Sequence, residues 1–316
     1  MKKMITSFLL LCVFISGCSL AKKQVEKNAI NSYTVVDDSG AKVNLLRKPQ
    51  RIVSLTYGTD EILAELVDLK TIVAFSQWAD DPQLSFLNKE QLRVVKKRSN
   101  ENVESVLRLK PDLVVASTAT APELIESLRE IGIPVYAASS PKNYAEMKKK
   151  IMGIAKAVQE EAKGLIIIKK MDIDLANLEK SLAHITFDKQ KVVMLFYFSG
   201  VSGRKGSLVD DMLQKAHLRN GAAELGLGSG SNAISKEQVV EKNPDVFFIP
   251  AWNFGHEDNN VEKYKLEILT DPAFKGVKAI KNKQVIAIGE NYRNVASQHI
   301  VESIRAFAKV VYPECF

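Results

Sequence analysis

A chain of 316 residues with 46% hydrophobic and 26% charged residues carries enough apolar material for two cores, and too much to stay disordered. Its formal charge is +7, but no basic run exceeds Lys148-Lys149-Lys150, a pattern of solvated surface rather than of a nucleic-acid face. Of the cysteines Cys12, Cys18 and Cys315, only Cys315 lies beyond the N-terminal segment, which excludes an internal disulfide framework once that segment is processed.

Residues 1–17 read as a signal peptide. Lys2 and Lys3 precede an apolar stretch over 4–15 that is too short to span a membrane, and Ile15-Ser-Gly-Cys18 supplies small residues for cleavage. Apolar, small, Gly, Cys resembles a lipobox, in which Cys18 becomes the lipid-bearing first residue. Residues 18–32 would then be a polar, lipidated tether.

From residue 33 the pattern is α/β. A hairpin is predicted over 33–46, turning at Asp38-Ser-Gly40. Strands follow over 51–55, 71–76, 112–117 and 134–138, with helices over 59–68, 102–109 and 122–131 and an extended piece over 92–96. This alternation implies parallel pairing in an N-terminal lobe spanning 33–140. Met147, Ile151 and Ile154, then Leu165, Ile168, Met171, Leu175, Leu178 and Leu182, recur at three- and four-residue steps without a proline. They predict two helices hinged near Gln159, the second a long strut, in a connection over 141–185. A C-terminal lobe over 186–316 repeats the scheme, with strands over 191–198, 245–250 and 284–289 and helices over 208–216, 236–242, 262–269 and 294–311. The architecture expected is two Rossmann-like lobes with parallel sheets, joined by one long helix.

One unit occurs twice. Asn102-Val-Glu104 opens a short helix that stops at Pro111-Asp112 before an apolar strand; Ser235-Lys-Glu237 opens another that stops at Pro244-Asp245 before a second. Glu104 and Glu237 occupy equivalent places in what reads as an internal duplication.

In parallel α/β sheets, ligands bind beyond the carboxyl ends of the strands. The residues there are Tyr57, Trp78, Arg98, Thr118, Phe198, Arg204, Trp252, Tyr292 and Arg293. Aromatic walls with a few fixed cations suit a large, planar or catecholate-like anion. Gly200-Val-Ser-Gly-Arg-Lys-Gly-Ser207 lacks a Walker A ending and Gly226-x-Gly228-x-Gly230 lacks a preceding strand, so both read as surface loops. His184, His217, His256 and His299 are scattered, with no metal-ligand spacing. No nucleophile with its base is apparent, which argues against an exported enzyme.

Several segments together resemble a known family. They are Arg51-Ile-Val-Ser-Leu55 with Thr59-Asp-Glu-Ile-Leu63, Asn102-Val-Glu104 through Leu109-Lys-Pro-Asp-Leu-Val-Val-Ala116, Leu128-x-x-Ile-Gly-Ile-Pro-Val135, and Ser235-Lys-Glu-Gln-Val239 with Asn243-Pro-Asp245. Over about residues 33–312 the chain resembles the substrate-binding lipoproteins of ABC importers for iron-siderophores, haem and cobalamin. The resemblance implies a helical-backbone, class III periplasmic binding protein with little hinge motion. It implies a monomer, lipid-anchored through Cys18 to the outer face of the cell membrane, or periplasmic if an outer membrane is present, that docks to a permease dimer with its ATPase through Glu104 and Glu237. It implies no catalysis and no resident cofactor, but a metal-chelate ligand. The strand-end arginines favour an iron(III)-siderophore; cobalamin or haem is the alternative, with Tyr57 and Tyr292 as candidate axial ligands for haem.

Overall fold

The computed structural model describes residues 32–251 and 261–316. The signal peptide, Cys18 and the tether up to residue 31, and also Trp252 and His256, lie outside the described residues.

The chain enters through an antiparallel hairpin, β1 (Tyr33–Val36) and β2 (Lys42–Leu45). The N-terminal lobe then alternates β3 (Ile52–Ser54), α1 (Tyr57–Leu66), β4 (Ile72–Ser76), α2 (Lys89–Val94), β5 (Arg98–Ser99), α3 (Val103–Arg108), β6 (Leu113–Ser117), α4 (Pro122–Glu130) and β7 (Val135–Ala138). Its strands form one parallel sheet in the order β5-β4-β3-β6-β7. Two helices follow, α5 (Tyr144–Ala157) and α6 (Glu161–Leu182), separated where Gln159 takes φ +51°. The 22 residues of α6 make a strut of ~33 Å.

The C-terminal lobe runs β8 (Val192–Tyr197), β9 (Gly200–Ser202), α7 (Leu208–Lys215), β10 (Arg219–Asn220), α8 (Gly221–Glu224), α9 (Lys236–Lys242), β11 (Val246–Pro250), α10 (Val261–Thr270), α11 (Lys278–Lys281), β12 (Val285–Ile288), α12 (Glu290–Arg293) and α13 (Ile300–Val311). Strands β10-β8-β11-β12 are parallel, and β9 folds back antiparallel on β8.

Three expectations are corrected. Residues 92–94 are helical rather than extended, because Asn88 and Gln91 form a capping box that starts α2. Part of the loop after β8 is a strand, since Gly200 at φ +125° allows the tight return that pairs Val201 with Phe196. The last helix begins at Ile300 rather than 294, because 294–299 is held to the other lobe and to a linking helix. Tyr57 Oη donates to the Asn294 carbonyl at 2.8 Å, Lys150 Nζ to that of Ala296 at 2.8 Å, and the Ser297 hydroxyl to Glu61.

The largest apolar cluster is continuous from Ile52 and Phe75 in the N-terminal lobe, through Met147, Ile151, Met171 and Leu178 of the linking helices, to Leu195, Phe248 and Phe307 in the C-terminal lobe. Each lobe keeps a smaller cluster on its far sheet face. A shared core makes the linking helices part of both lobes, so the two cannot move apart without exposing it.

Candidate ligand-binding cleft

Between the lobes lies a cleft of about 570 Å³, within the range of small-molecule sites. Parallel α/β connectivity builds part of its walls, since two strand-to-helix turns, one in each lobe, open onto the cleft. Thr56, the N-cap of α1, lines it with Tyr57 and Gly58; Ser207, the N-cap of α7, lines it with Leu208 and Val209. The first amides of a helix have no intrahelical acceptor and sit at the positive end of its dipole, so both walls favour an anion. Ser117, Thr120 and Ser140 add hydroxyls, Trp78 an aromatic face, and exposed Glu101 an acid.

The strip Asn294-Val295-Ala296 lines the cleft beside Arg293, which is 7% exposed. Arg293 Nη2 donates to the Phe196 carbonyl at 2.8 Å, and its guanidinium lies 5.5 Å from the Tyr197 ring centre. Its Nε is 3.9 Å from Glu290 Oε1, a loose pair for two buried charges. Its Nη1 has no hydrogen-bond partner among the described residues. Burial pulls Arg293 below the usual arginine value and pushes the Glu290 carboxyl up. A buried guanidinium N–H without an acceptor costs free energy, and Glu290 Oε1 beside it is likewise without a hydrogen bond among the described residues.

Of the residues singled out from strand ends, the structure brings Tyr57, Trp78 and Arg293 together in this cleft. Four more are placed elsewhere. Arg98 is turned away, its Nε and Nη2 on the Asp80 carboxylate at 2.6 and 2.5 Å and its Nη1 on the Val95 carbonyl. Phe198 lines a separate cavity of about 500 Å³ within the C-terminal lobe, beside Tyr264 and Phe274. Tyr292 packs edge-on against Phe86 at 5.3 Å. Arg204 is exposed and does not line the cleft. Thr118 is exposed next to lining residues Ser117 and Ala119, and Trp252 lies outside the described residues.

Lys150 was not among those residues. It lines the cleft floor at 2% exposure, and burial lowers its pKa to about 8 against the pull of Glu61 and Asp38. The signal was present: 150 falls on the stripe of Met147, Ile151 and Ile154, where a lysine cannot be solvated surface. Among the described residues, no three His, Cys, Asp or Glu side chains converge to hold a metal ion, and no helix is long and apolar enough to cross a membrane.

Glu104 and Glu237 are exposed in the first turns of α3 and α9, as the repeat requires. Glu104 pairs with Arg108 at 2.7 Å; the Ser235 side chain and then Lys236 hold Glu237 below the usual carboxylate range.

The periplasmic binding protein family matches residues 52–292. An ABC transporter substrate-binding lipoprotein of Bacillus subtilis, YvrC, is 26% identical over 98% of this chain and 96% of its own length. The Fe(3+)-citrate-binding protein YfmC of the same organism is 26% identical over 88% and 85%. In structure, the periplasmic haem-binding protein RhuT from Roseiflexus sp. RS-1 matches at a TM-score of 0.69 and 22% identity, covering 84% of this chain and 99% of that one. The order of strands, the helical connection and the cleft between lobes fit that assignment: this chain belongs to the periplasmic binding protein family of ABC importers, whose members bind solutes and are not enzymes.

Proposed function

We propose that this chain is the extracytoplasmic solute-binding component of an ABC importer and that its cleft captures an anionic iron(III)-siderophore complex. The observation that carries the reading is Arg293, a buried guanidinium in the cleft wall with Nη1 unpartnered among the described residues. The helix starts on both walls favour the same sign of charge, and the chelator supplies the ligands of the metal. Lipid on Cys18 would hold the monomer at the outer face of the membrane, and Glu104 and Glu237 would dock it on the two-subunit permease, one anchor per lobe.

Haem fits less well. Among the described residues, Tyr57 is the one Tyr, His, Met or Cys side chain lining the cleft. Its hydroxyl is committed to Asn294, and burial pushes its pKa up to about 12, which disfavours the phenolate an axial ligand needs. Trp78 lines the cleft, so its fluorescence should respond to an occupant. Quenching of tryptophan fluorescence should be saturable with ferric siderophores, and Arg293→Ala should weaken it roughly ten- to hundredfold. Saturation by haem or cobalamin alone would overturn the reading.

A further inference from the structure

Lys150 stands on α5, the one helix of the linking pair that reaches the cleft, with Met147 and Ile151 beside it wholly buried in the core. An ammonium in such a place normally answers a carboxylate. Among the described residues no carboxylate oxygen lies within 4.0 Å of Nζ. Glu61 is the nearest in effect, but its two oxygens are taken by the Phe86 amide at 2.9 Å and by the Ser297 hydroxyl. Nζ has three donors, and among the described residues one is used, on the Ala296 carbonyl. Ala296 lies at one end of the lining strip and Arg293 at the other, so two cations bracket the same stretch of cleft.

We infer that Lys150 is a second ligand-contacting cation, and that the cleft therefore selects chelates presenting at least two acidic oxygens, from carboxylate or catecholate arms, over neutral or cationic hydroxamate complexes. The inference rests on the proposed capture of a metal chelate and narrows it to polyanionic members. A single arginine would accept any ligand with one acidic edge. Two cations fixed to opposite ends of a rigid strip demand charge in two places, and leave a cationic complex repelled by both. Position also favours the role. Lys150 belongs to a helix packed on both lobes, so its ammonium keeps one place whatever small adjustment the lobes make.

The test is a charge series against wild type, Lys150→Met and Lys150→Arg in the full chain, with ferric citrate, a ferric tris-catecholate, cationic ferrioxamine B and metal-free citrate as probes. Binding is read by tryptophan fluorescence and calorimetry. Lys150→Met should weaken the two anionic chelates roughly ten- to hundredfold, leave ferrioxamine B unchanged or tighter, and flatten the salt dependence. Lys150→Arg should recover much of the loss. Equal weakening of all probes would mark Lys150 as structural and overturn the inference. So would anionic chelates binding Lys150→Met as they bind wild type. If Lys150→Met melts early, Lys150→Gln replaces it under the same criteria. Wild type that ignores every iron complex but binds free citrate through Lys150 would sink the siderophore reading and keep the two-cation site. Wild type that binds nothing in the series would sink both.

Discussion

In the N-terminal lobe, α3 is capped by Asn102 and ends at Lys110 with φ +49°, and after Pro111 the Asp112 carboxylate accepts from the Gln50 amide at 2.9 Å and the Arg51 amide at 2.7 Å. In the C-terminal lobe, α9 is capped by Ser235 and ends at Asn243 with φ +51°, and after Pro244 Asp245 accepts from the Val192 amide at 2.9 Å. Helix, left-handed stop, proline and an aspartate clamping the start of the neighbouring central strand recur down to the backbone angles. The segments leaving each lobe's last strand do not recur. β7 runs on into α5 and α6, whereas 290–299 leaves β12 and crosses to the opposite lobe. Lys150 and Arg293, the two cleft cations, both stand in these unmatched segments. The repeated α/β pattern lays down most of the cleft wall, and the segments without a counterpart add its two buried cations.

The strongest way to sharpen that contrast is to remove Lys150. Its pKa falls from 10.5 when exposed to about 8 in the fold, a cost of about 3 kcal/mol at neutral pH. The sign follows from linkage. The unfolded chain binds more protons between pH 8 and 10.5, so wild-type stability improves as pH rises through that window, and the advantage is lost as pH falls through about 8. Lys150→Met should therefore be more stable than wild type at pH 7, by up to about 3 kcal/mol, with the difference shrinking towards pH 10.5. Anion affinity should move oppositely, falling in wild type as Lys150 deprotonates against Glu61 and Asp38 but staying flat in Lys150→Met. Urea melts and titrations at matched pH check both; a variant less stable than wild type at pH 7 would mean that the lysine holds the floor together.

Next come the duplicated clamps, which are alike in kind and unequal in number of bonds. Asp112→Ala frees two strand-start amides and should cost about 2–3 kcal/mol, whereas Asp245→Ala frees one and should cost about 1–1.5 kcal/mol. Equal losses in denaturant melts would show that the second amide bond adds nothing.

The repeated unit was legible in the sequence because each part is local. A capping residue, a Pro-Asp stop and a run of apolar residues need only neighbours to act. The hinge at Gln159 was legible for the same reason. The cleft was legible only in part. Position after a strand end located Tyr57, Trp78 and Arg293 on the cleft, but it cannot tell a cation that lines the cleft from one turned away from it, and Arg98 had Asp80 within reach. Residues 294–299 read as the start of the last helix, and the carbonyl contacts that hold them outside it come from Tyr57 and Lys150, more than a hundred residues away.

A smaller effect probes the seam where the crossing segment meets α1. Alanine for glycine in a helix usually gains up to about 1 kcal/mol. At Gly58 a Cβ would stand 2.6 Å from Ala296 Cβ and 2.7 Å from Ala296 O, the carbonyl that Lys150 holds. Backbone has to shift, so Gly58→Ala should lose about 1–2 kcal/mol instead and weaken anion binding with it. Unchanged melting would show that the crossing segment yields freely and is no fixed part of the site.

The smallest effect concerns the two proposed anchors, which the repeat makes equivalent and their surroundings do not. Glu104 shares its charge with Arg108 one turn on, both side chains more than two-thirds exposed, a pair worth about 0.3–0.5 kcal/mol. Glu237 leans on its own N-cap serine and on Lys236, and no partner holds it at salt-bridge distance among the described residues. If both meet permease cations, Glu237 offers its carboxylate directly, while Glu104 must first leave Arg108. Arg108→Ala should then barely change melting, leave ligand affinity untouched and raise uptake by no more than about twofold, the Boltzmann factor of so weak a pair. Glu237→Arg should cut uptake more than Glu104→Arg, and the double reversal should abolish it with the cleft still full. Uptake that ignores all three changes would return both residues to the bland role of helix-start carboxylates, since that role needs no charge beyond the first turn.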